Sequence, residues 1–324
     1  MDKVKRIENG IEKGYKVIDR LYPIVVKERL RAGEVLFNRC REAGIKYVVH
    51  KGAILSYVLY GNPFVRKSGD TDILISRADA NRVKGILFDN GFVQGYIVEN
   101  PNTHICEIKK YSRTEMVFQA SQSHQLAAFV KKVGNAICGY VNYDVNMDIL
   151  WGESGRHVDM DSFLDDTMEI DICGIRLCKL KPEAEFIAMC MHHYKDLNSI
   201  YLLWKCGINK TELEEIYLYV KKNIMDLEYL YNISLKYEVS DYIYYCISKA
   251  YEIYRDSVLK KLSQKFESET GKILLDCFGL CDLERKCWNV DFKTIWEAED
   301  IKVYMEPLLT AEDFRKIQLN DRMM

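Results

Sequence analysis

Apolar residues recur at helical spacing near the start of the chain. Ile18, Leu21, Ile24, Val25, Leu30, Val35 and Leu36 lie at helical spacing, which predicts a helical lead-in over residues 3–42, ended by Gly44. The pattern then changes period. Ile45 to His50 reads as a strand, Gly52 to Tyr60 as a helix stopped by Gly61-Asn62-Pro63, and Asp70 to Ile75 as a second strand. Ser76 is a natural N-cap for a helix running to about Asn90. Further strands are expected at Phe92 to Val98, in a hairpin-like pair at Ile105 to Lys110 and Glu115 to Phe118, and at Tyr140 to Leu150. A helix is expected from Ser123 to Val133. Residues 31–151 thus alternate strands and helices around a mixed sheet.

Beyond residue 155 the pattern differs. A hairpin is expected over Glu169 to Leu180 with Cys173-Gly174 at its turn, and almost everything after it has helical spacing. Lys181-Pro182-Glu183-Ala184-Glu185 is a strong helix start, with proline near the first helical position and acids at the positive end of the dipole. The expectation is an α+β protein in two parts. Residues 1–155 form a mixed sheet with flanking helices and the helical lead-in; residues 156–324 form a mostly helical domain that begins with the hairpin.

The 324 residues carry a formal net charge of -2, which argues against wholesale attraction to nucleic acid. The N-terminal Met1-Asp2-Lys3-Val4-Lys5-Arg6 leads into polar sequence without the apolar core of a signal peptide, and no apolar run reaches the length of a membrane span. A cytoplasmic location is the expectation. The eleven cysteines then read as reduced thiols, many of them buried. Cys277, Cys281 and Cys287 cluster without a CxxC pair, so packing is favoured over zinc there.

The candidate chemistry lies at Asp70-Thr71-Asp72, which runs into the aliphatic Ile73-Leu74-Ile75. A strand points residues i and i+2 to one side, so both carboxylates emerge together and can hold one or two hard cations. This suits phosphoryl chemistry assisted by Mg²⁺. Lys51-Gly52 follows the preceding strand-like run, and Gly52 opens the next helix. Arg66 and Lys67 lie on the loop that leads to the acidic strand. Asp148 and Asp144 share face parity on the later strand.

The order of these elements resembles the DNA polymerase β-type nucleotidyltransferase superfamily, and within it a bacterial family of uncharacterised nucleotidyltransferases. The resemblance rests on Lys51-Gly52, Arg66, Asp70-Thr71-Asp72-Ile73-Leu74, Asp148-Ile149-Leu150-Trp151, the Ile172-Cys173-Gly174-Ile175 turn, Lys181-Pro182-Glu183 and His192-His193-Tyr194-Lys195. It spans about residues 45–196. Ala53 stands where a second small polar or glycine residue is usual, and Leu150 where the family often has histidine.

The resemblance implies transfer of a nucleoside monophosphate from an NTP to an acceptor hydroxyl, with release of pyrophosphate. Asp70, Asp72 and Asp148 would be the catalytic metal ligands, with Asp144 as the alternate third; the Trp151 pattern favours Asp148. Mg²⁺, or Mn²⁺, would be the cofactor. Lys51, Gly52, Arg66, Lys67, Lys195 and His192 would bind the nucleotide. A small-molecule acceptor is favoured. The alternatives are a toxin-like or regulatory enzyme acting on tRNA or protein, and a non-catalytic nucleotide-binding protein of the same fold. His50 and His104 receive no role.

Overall fold

The computed structural model describes residues 2–100, 105–121 and 124–323. Ser123 and His104 lie outside these residues. Two compact units divide the chain. One comprises residues 1–116, 125–147 and 167–179; the other comprises 117–124, 148–166 and 180–324. The division is discontinuous, whereas the pattern along the chain suggested one change near 155.

The first unit opens with a long helix, α1 (Asp2–Glu42), followed by β1 (Tyr47–His50), α2 (Gly52–Tyr60) and β2 (Thr71–Ile75). A single 3-10 turn capped by the Ser76 hydroxyl leads into α3 (Ala80–Asp89). Then come β3 (Val93–Glu99), β4 (Cys106–Lys110), α4 (Arg113–Ser121, of which residues 113–116 fall in this unit), β5 (Phe129–Lys132) and β6 (Tyr140–Asn146). The six strands form one mixed sheet in the order β1-β2-β6-β5-β3-β4, with β2 and β6 parallel and the other neighbours antiparallel. Residues Val141, Tyr143 and Val145 of β6 are buried, while Asn142, Asp144 and Asn146 between them are half-buried. That alternation is the period of a strand with one face on the core.

Two expectations fail here. Glu115 to Phe118 is helical, because Ser112 and Glu115 form a capping box: the Glu115 amide donates to the Ser112 hydroxyl and the Glu115 carboxylate accepts from the Ser112 amide. Conversely, Phe129 to Lys132 is a strand. Phe129 and Val130 are almost fully buried between β6 and β3, and tertiary pairing overrides the helical spacing. The later strand also stops at Asn146, short of Asp148.

Helix α1 packs on the core face of the sheet through Tyr22, Val26, Leu30, Leu36 and Phe37. Its Gly33 has a structural purpose: a Cβ there would lie 2.3 Å from the Tyr143 hydroxyl and 2.6 Å from the Phe37 ring. Tyr143 instead donates its hydroxyl to the Arg29 carbonyl. The hairpin of β7 (Thr167–Ile172) and β8 (Ile175–Leu180) forms as expected, with positive φ at both Cys173 (59°) and Gly174 (81°), as a two-residue primed turn demands.

In the second unit a short helix, α5 (Met160–Phe163), is followed by the buried α6 (Pro182–Asn198). Nine shorter helices, α7 to α15, run from Ile200–Cys206 to Ala311–Met323 among the described residues. Between the sixth and seventh of these lies a two-stranded pair, β9 (Cys277–Phe278) and β10 (Lys286–Cys287). No helix among the described residues is long and apolar enough to cross a membrane.

Candidate functional site

Strand β1 ends in a sharp turn made by Lys51 (φ 56°, ψ -149°) and Gly52 (φ 39°). Positive φ is costly for lysine, by about 1 kcal/mol or more. The turn is held because the Lys51 carbonyl accepts the first helical bond of α2 from the Leu55 amide at 3.0 Å. The turn leaves the N-terminus of α2 without a side-chain cap. The Lys51 ammonium reaches sideways to Asp72 Oδ1 at 3.0 Å, in a largely buried ion pair.

Asp72 is 9% exposed on β2, and Asp70 is half-buried one residue before the strand. Across the parallel pair, Asp72 is the Cα partner of Asp144 on β6. Neighbouring strands are about 4.8 Å apart and partners share a face, so Asp72 and Asp144 project together. Two residues on, Asn146 donates to Asp72 Oδ1 at 3.4 Å. Burial, and then the charge of Asp72, raise the Asp70 pKa, while Lys51 and Arg29 pull it down. His50 is the antiparallel partner of Asp72. Burial, then the Lys51 charge, push its pKa down to about 3, so the imidazole is neutral. His50, which receives no role from sequence, thus lies beside the acidic strand.

Helix α1 braces the loop before β2. Arg29 Nη1 donates to the Ser68 carbonyl at 2.6 Å, and the Ser68 amide donates to the Tyr22 hydroxyl at 2.7 Å. Tyr22 in turn donates to the Arg66 carbonyl at 3.1 Å. From the other side the fully buried Ser56 hydroxyl accepts from the Val65 and Arg66 amides and donates to the Asn62 carbonyl. Ser56, one turn into α2, is thus the pin of this loop. The Arg66 side chain lies close enough to influence His50 electrostatically. Lys67 turns toward α1, with its ammonium 2.9 Å from Asp19 and 4.4 Å from the centre of the Tyr22 ring. Behind the turn a cavity of about 20 Å³ is lined by Arg29, Val49, His50, Lys51, Gly52 and Ser68. That is room for one water-sized group. His50 Nε2 and Arg29 Nε are buried there without a hydrogen-bond partner among the described residues.

The remaining sequence candidates belong to the second unit. Asp148 is 5% exposed and closes a turn. Its Oδ1 accepts from the Leu150 amide at 3.0 Å and the Val158 amide at 3.4 Å, and its Oδ2 lies 3.1 Å from His157 Nδ1. On α6, His192 is 3.4 Å from Asp196, and His193 is 3.0 Å from the equally buried Glu215. Lys195 is half-buried on the same helix.

Asp70, Asp72 and Asp144 offer hard oxygen donors, and after burial it is the charge of Asp72 that raises the Asp70 pKa, so these two acids repel each other. Both properties fit a divalent cation such as Mg²⁺. Among the described residues no group of three or more His, Cys, Asp or Glu side chains forms a ready metal cage. Mg²⁺ does not require one, since it takes one or two carboxylates and completes its shell with water and substrate phosphate.

A family model described as uncharacterised nucleotidyltransferase matches residues 29–255. No curated protein matches the chain. Among solved structures, an antigenic nucleotidyltransferase-like protein from Paracoccidioides brasiliensis is similar over 63% of this chain and 77% of its own, at 16% identity and a TM-score of 0.33. The antibiotic-resistance factor ANT(2'')-Ia is similar over 61% of this chain and 85% of its own, at 13% identity and a TM-score of 0.34.

Proposed function

Since the chain belongs to the uncharacterised nucleotidyltransferase family, we propose that it transfers a nucleoside monophosphate from an NTP to an acceptor hydroxyl. The observation that carries the reading is the parallel register of Asp72 with Asp144, beside Asp70 and the Lys51-Gly52 turn. In this reading Asp70 and Asp72 would hold Mg²⁺ or Mn²⁺, with Asp144, the strand partner of Asp72, as the third carboxylate beside them. We assign the third carboxylate to Asp144 in preference to Asp148, because Asp148 already serves two amides and a histidine while Asp144 is the strand partner of Asp72. When bound, the cation neutralises phosphate charge and makes the acceptor hydroxyl easier to deprotonate.

The chain's own groups do the rest. The α2 N-terminus and Gly52 receive phosphate oxygens, and Lys51 and Arg66 balance their charge. One carboxylate takes the proton from the acceptor hydroxyl as its oxygen attacks the α-phosphorus. The α–β anhydride bond breaks, and pyrophosphate leaves. Most of the rate gain comes from positioning and electrostatics. Lys67 is a weaker nucleotide contact in this reading, because Asp19 already pairs with it. Lys195 and His192 keep their proposed nucleotide role on the family pattern alone. A small-molecule acceptor is favoured by the net charge of -2, which gives no general attraction for RNA.

The test is thermal melting with each of the four NTPs, with and without Mg²⁺ or Mn²⁺, followed by incubation of labelled NTP with cell extract. Stabilisation that needs both nucleotide and cation, and that disappears in the Asp70→Asn/Asp72→Asn double variant, is expected. Absence of such stabilisation with every NTP would defeat the proposal.

A further inference from the structure

Outside the candidate site, one pair of side chains is set up for chemistry that transfer does not use. Cys277 and Cys287 are directly opposite each other in the β9–β10 pair, with their sulfurs 3.2 Å apart. The Trp288 amide donates to the Asp276 carbonyl at 2.8 Å just outside them. That bond marks Cys277 and Cys287 as a non-hydrogen-bonded pair, in which opposed Cα atoms are about 4.5 Å apart and side chains are closest. This spacing falls inside the range spanned by disulfides, about 4.4–6.8 Å. Cys277 is buried, but Cys287 is exposed, so a reagent in solution can reach one sulfur of the pair. By contrast, Cys246 contacts the Cys190 carbonyl in a sealed environment, and both of those thiols are buried.

We propose that Cys277 and Cys287 form a redox-active dithiol, closed to an intrachain disulfide by low-molecular-weight disulfides of the glutathione class. The Cys287 thiolate attacks one sulfur of the small disulfide and expels a small thiolate, leaving a mixed disulfide on Cys287. Cys277 then gives its proton to solvent and attacks the Cys287 sulfur, expelling the second small thiolate. Two protein thiols are oxidised to one disulfide, and one small disulfide is reduced to two thiols, so two electrons and two protons balance. The order of attack follows from burial, which together with the neighbouring Cys287 sulfur pushes the Cys277 thiol up to about 12 and keeps it protonated until its partner has reacted.

The linkage would clamp a hairpin with contacts at two places in the second unit. The Gly279 amide donates to the carbonyl of Asn198 at the end of α6, at 2.8 Å. The Trp151 indole donates to the Leu280 carbonyl at 3.1 Å, and its ring stacks on Tyr194 of α6. Phe278 and Trp288 stack with ring centres 4.1 Å apart, beside the pair, and Phe278 sits in the cluster with Ile200, Leu203 and Met305. Oxidation therefore stiffens a segment that is packed and hydrogen-bonded to α6.

The test uses the full-length protein equilibrated with reduced or oxidised glutathione, denatured with an alkylating reagent and weighed intact. The expected result is a fall in alkylated cysteines from eleven to nine, with no glutathione retained, reversal by a dithiol reductant, and a Cys277–Cys287 peptide in the digest. Cys287→Ser, at an exposed position that tolerates the change, loses the effect, while Cys281→Ser and Cys206→Ser keep it. The oxidised protein melts at a higher temperature than the reduced one. Retention of one glutathione on Cys287 without ring closure, a disulfide mapped to any other pair, or an unchanged count of eleven would each overturn the proposal.

Discussion

The carboxylates on β2 and β6 and the carboxylate of Asp148 begin from similar sequence and end in different environments. Asp72 and Asp144 are strand partners, and the polar contacts of Asp72 include a lysine ammonium and an asparagine amide, both of which can be exchanged for a ligand. Asp148 lies four residues after Asp144. It satisfies two backbone amides in a closed turn. A carboxylate bound to backbone donors is part of the fold, because removing it leaves buried amides unpaired. A carboxylate balanced by a flexible cation keeps its charge available. The strand end at Asn146 is what separates the two.

The sharpest break of this comparison is Asp72→Asn. It should cut NTP- and metal-dependent transfer by roughly 10²–10³-fold, as loss of one preorganised charge partner commonly does. Labelled-NTP turnover measures it, with retained melting behaviour as the control. Exchange of the two β6-region acids comes next. Asp144→Asn should lose cation-dependent nucleotide stabilisation in a folded protein, whereas Asp148→Ala should lose about 1–3 kcal/mol of stability and keep turnover per folded molecule. Denaturant titration beside the binding assay separates these outcomes, and the reverse result would restore Asp148 as the metal ligand.

Acid titration sharpens the contrast within the sheet. His50 is held neutral with its pKa lowered from 6.5 to about 3. The unfolded chain therefore binds more protons in that window, and stability should fall as pH drops from 6.5 toward 3, by at most about 1.4 kcal/mol per unit for this group. His50→Gln should flatten that part of the curve. Asp70 acts in the opposite sense. Its raised pKa means that the folded state binds the extra proton, so stability from this group falls as pH rises above 3.8. Asp70→Asn should consequently melt higher at neutral pH while losing its response to NTP and cation. The smallest effect is expected for Lys51→Met, which should weaken NTP binding by roughly fivefold, the equivalent of a contact of about 1 kcal/mol. Calorimetric titration of NTP with Mg²⁺ reads it.

The strand β2 and the glycine turn before α2 were legible because each depends on local chemistry: the aliphatic run Ile73-Leu74-Ile75, buried throughout, and a missing side chain at Gly52. The hairpin at Cys173-Gly174 was legible for the same reason. Where the reading failed, the deciding interaction was distant or read in the wrong period. Phe129 has the spacing of a helix, yet its burial between β3 and β6 determines its conformation. Ser112 and Glu115 form a capping box that the hairpin reading passed over. The proposed preference for Asp144 over Asp148 rests on the strand end at Asn146, which parity alone does not give. The bracing of the 66–70 segment by Arg29 and Tyr22 crosses about forty residues and left no trace in any local pattern.

Gly33 illustrates what such distance means for change in this chain. The hydrogen in place of a side chain at Gly33 admits the Tyr143 hydroxyl, and Tyr143 immediately precedes Asp144 on β6. Saturating mutagenesis should therefore find Gly33 intolerant even of alanine, with damage felt at the adjacent acid before the fold as a whole gives way. A position on the opposite side of the sheet from Asp144, unremarkable as a helix residue, thereby constrains which variants of the chain can arise at all.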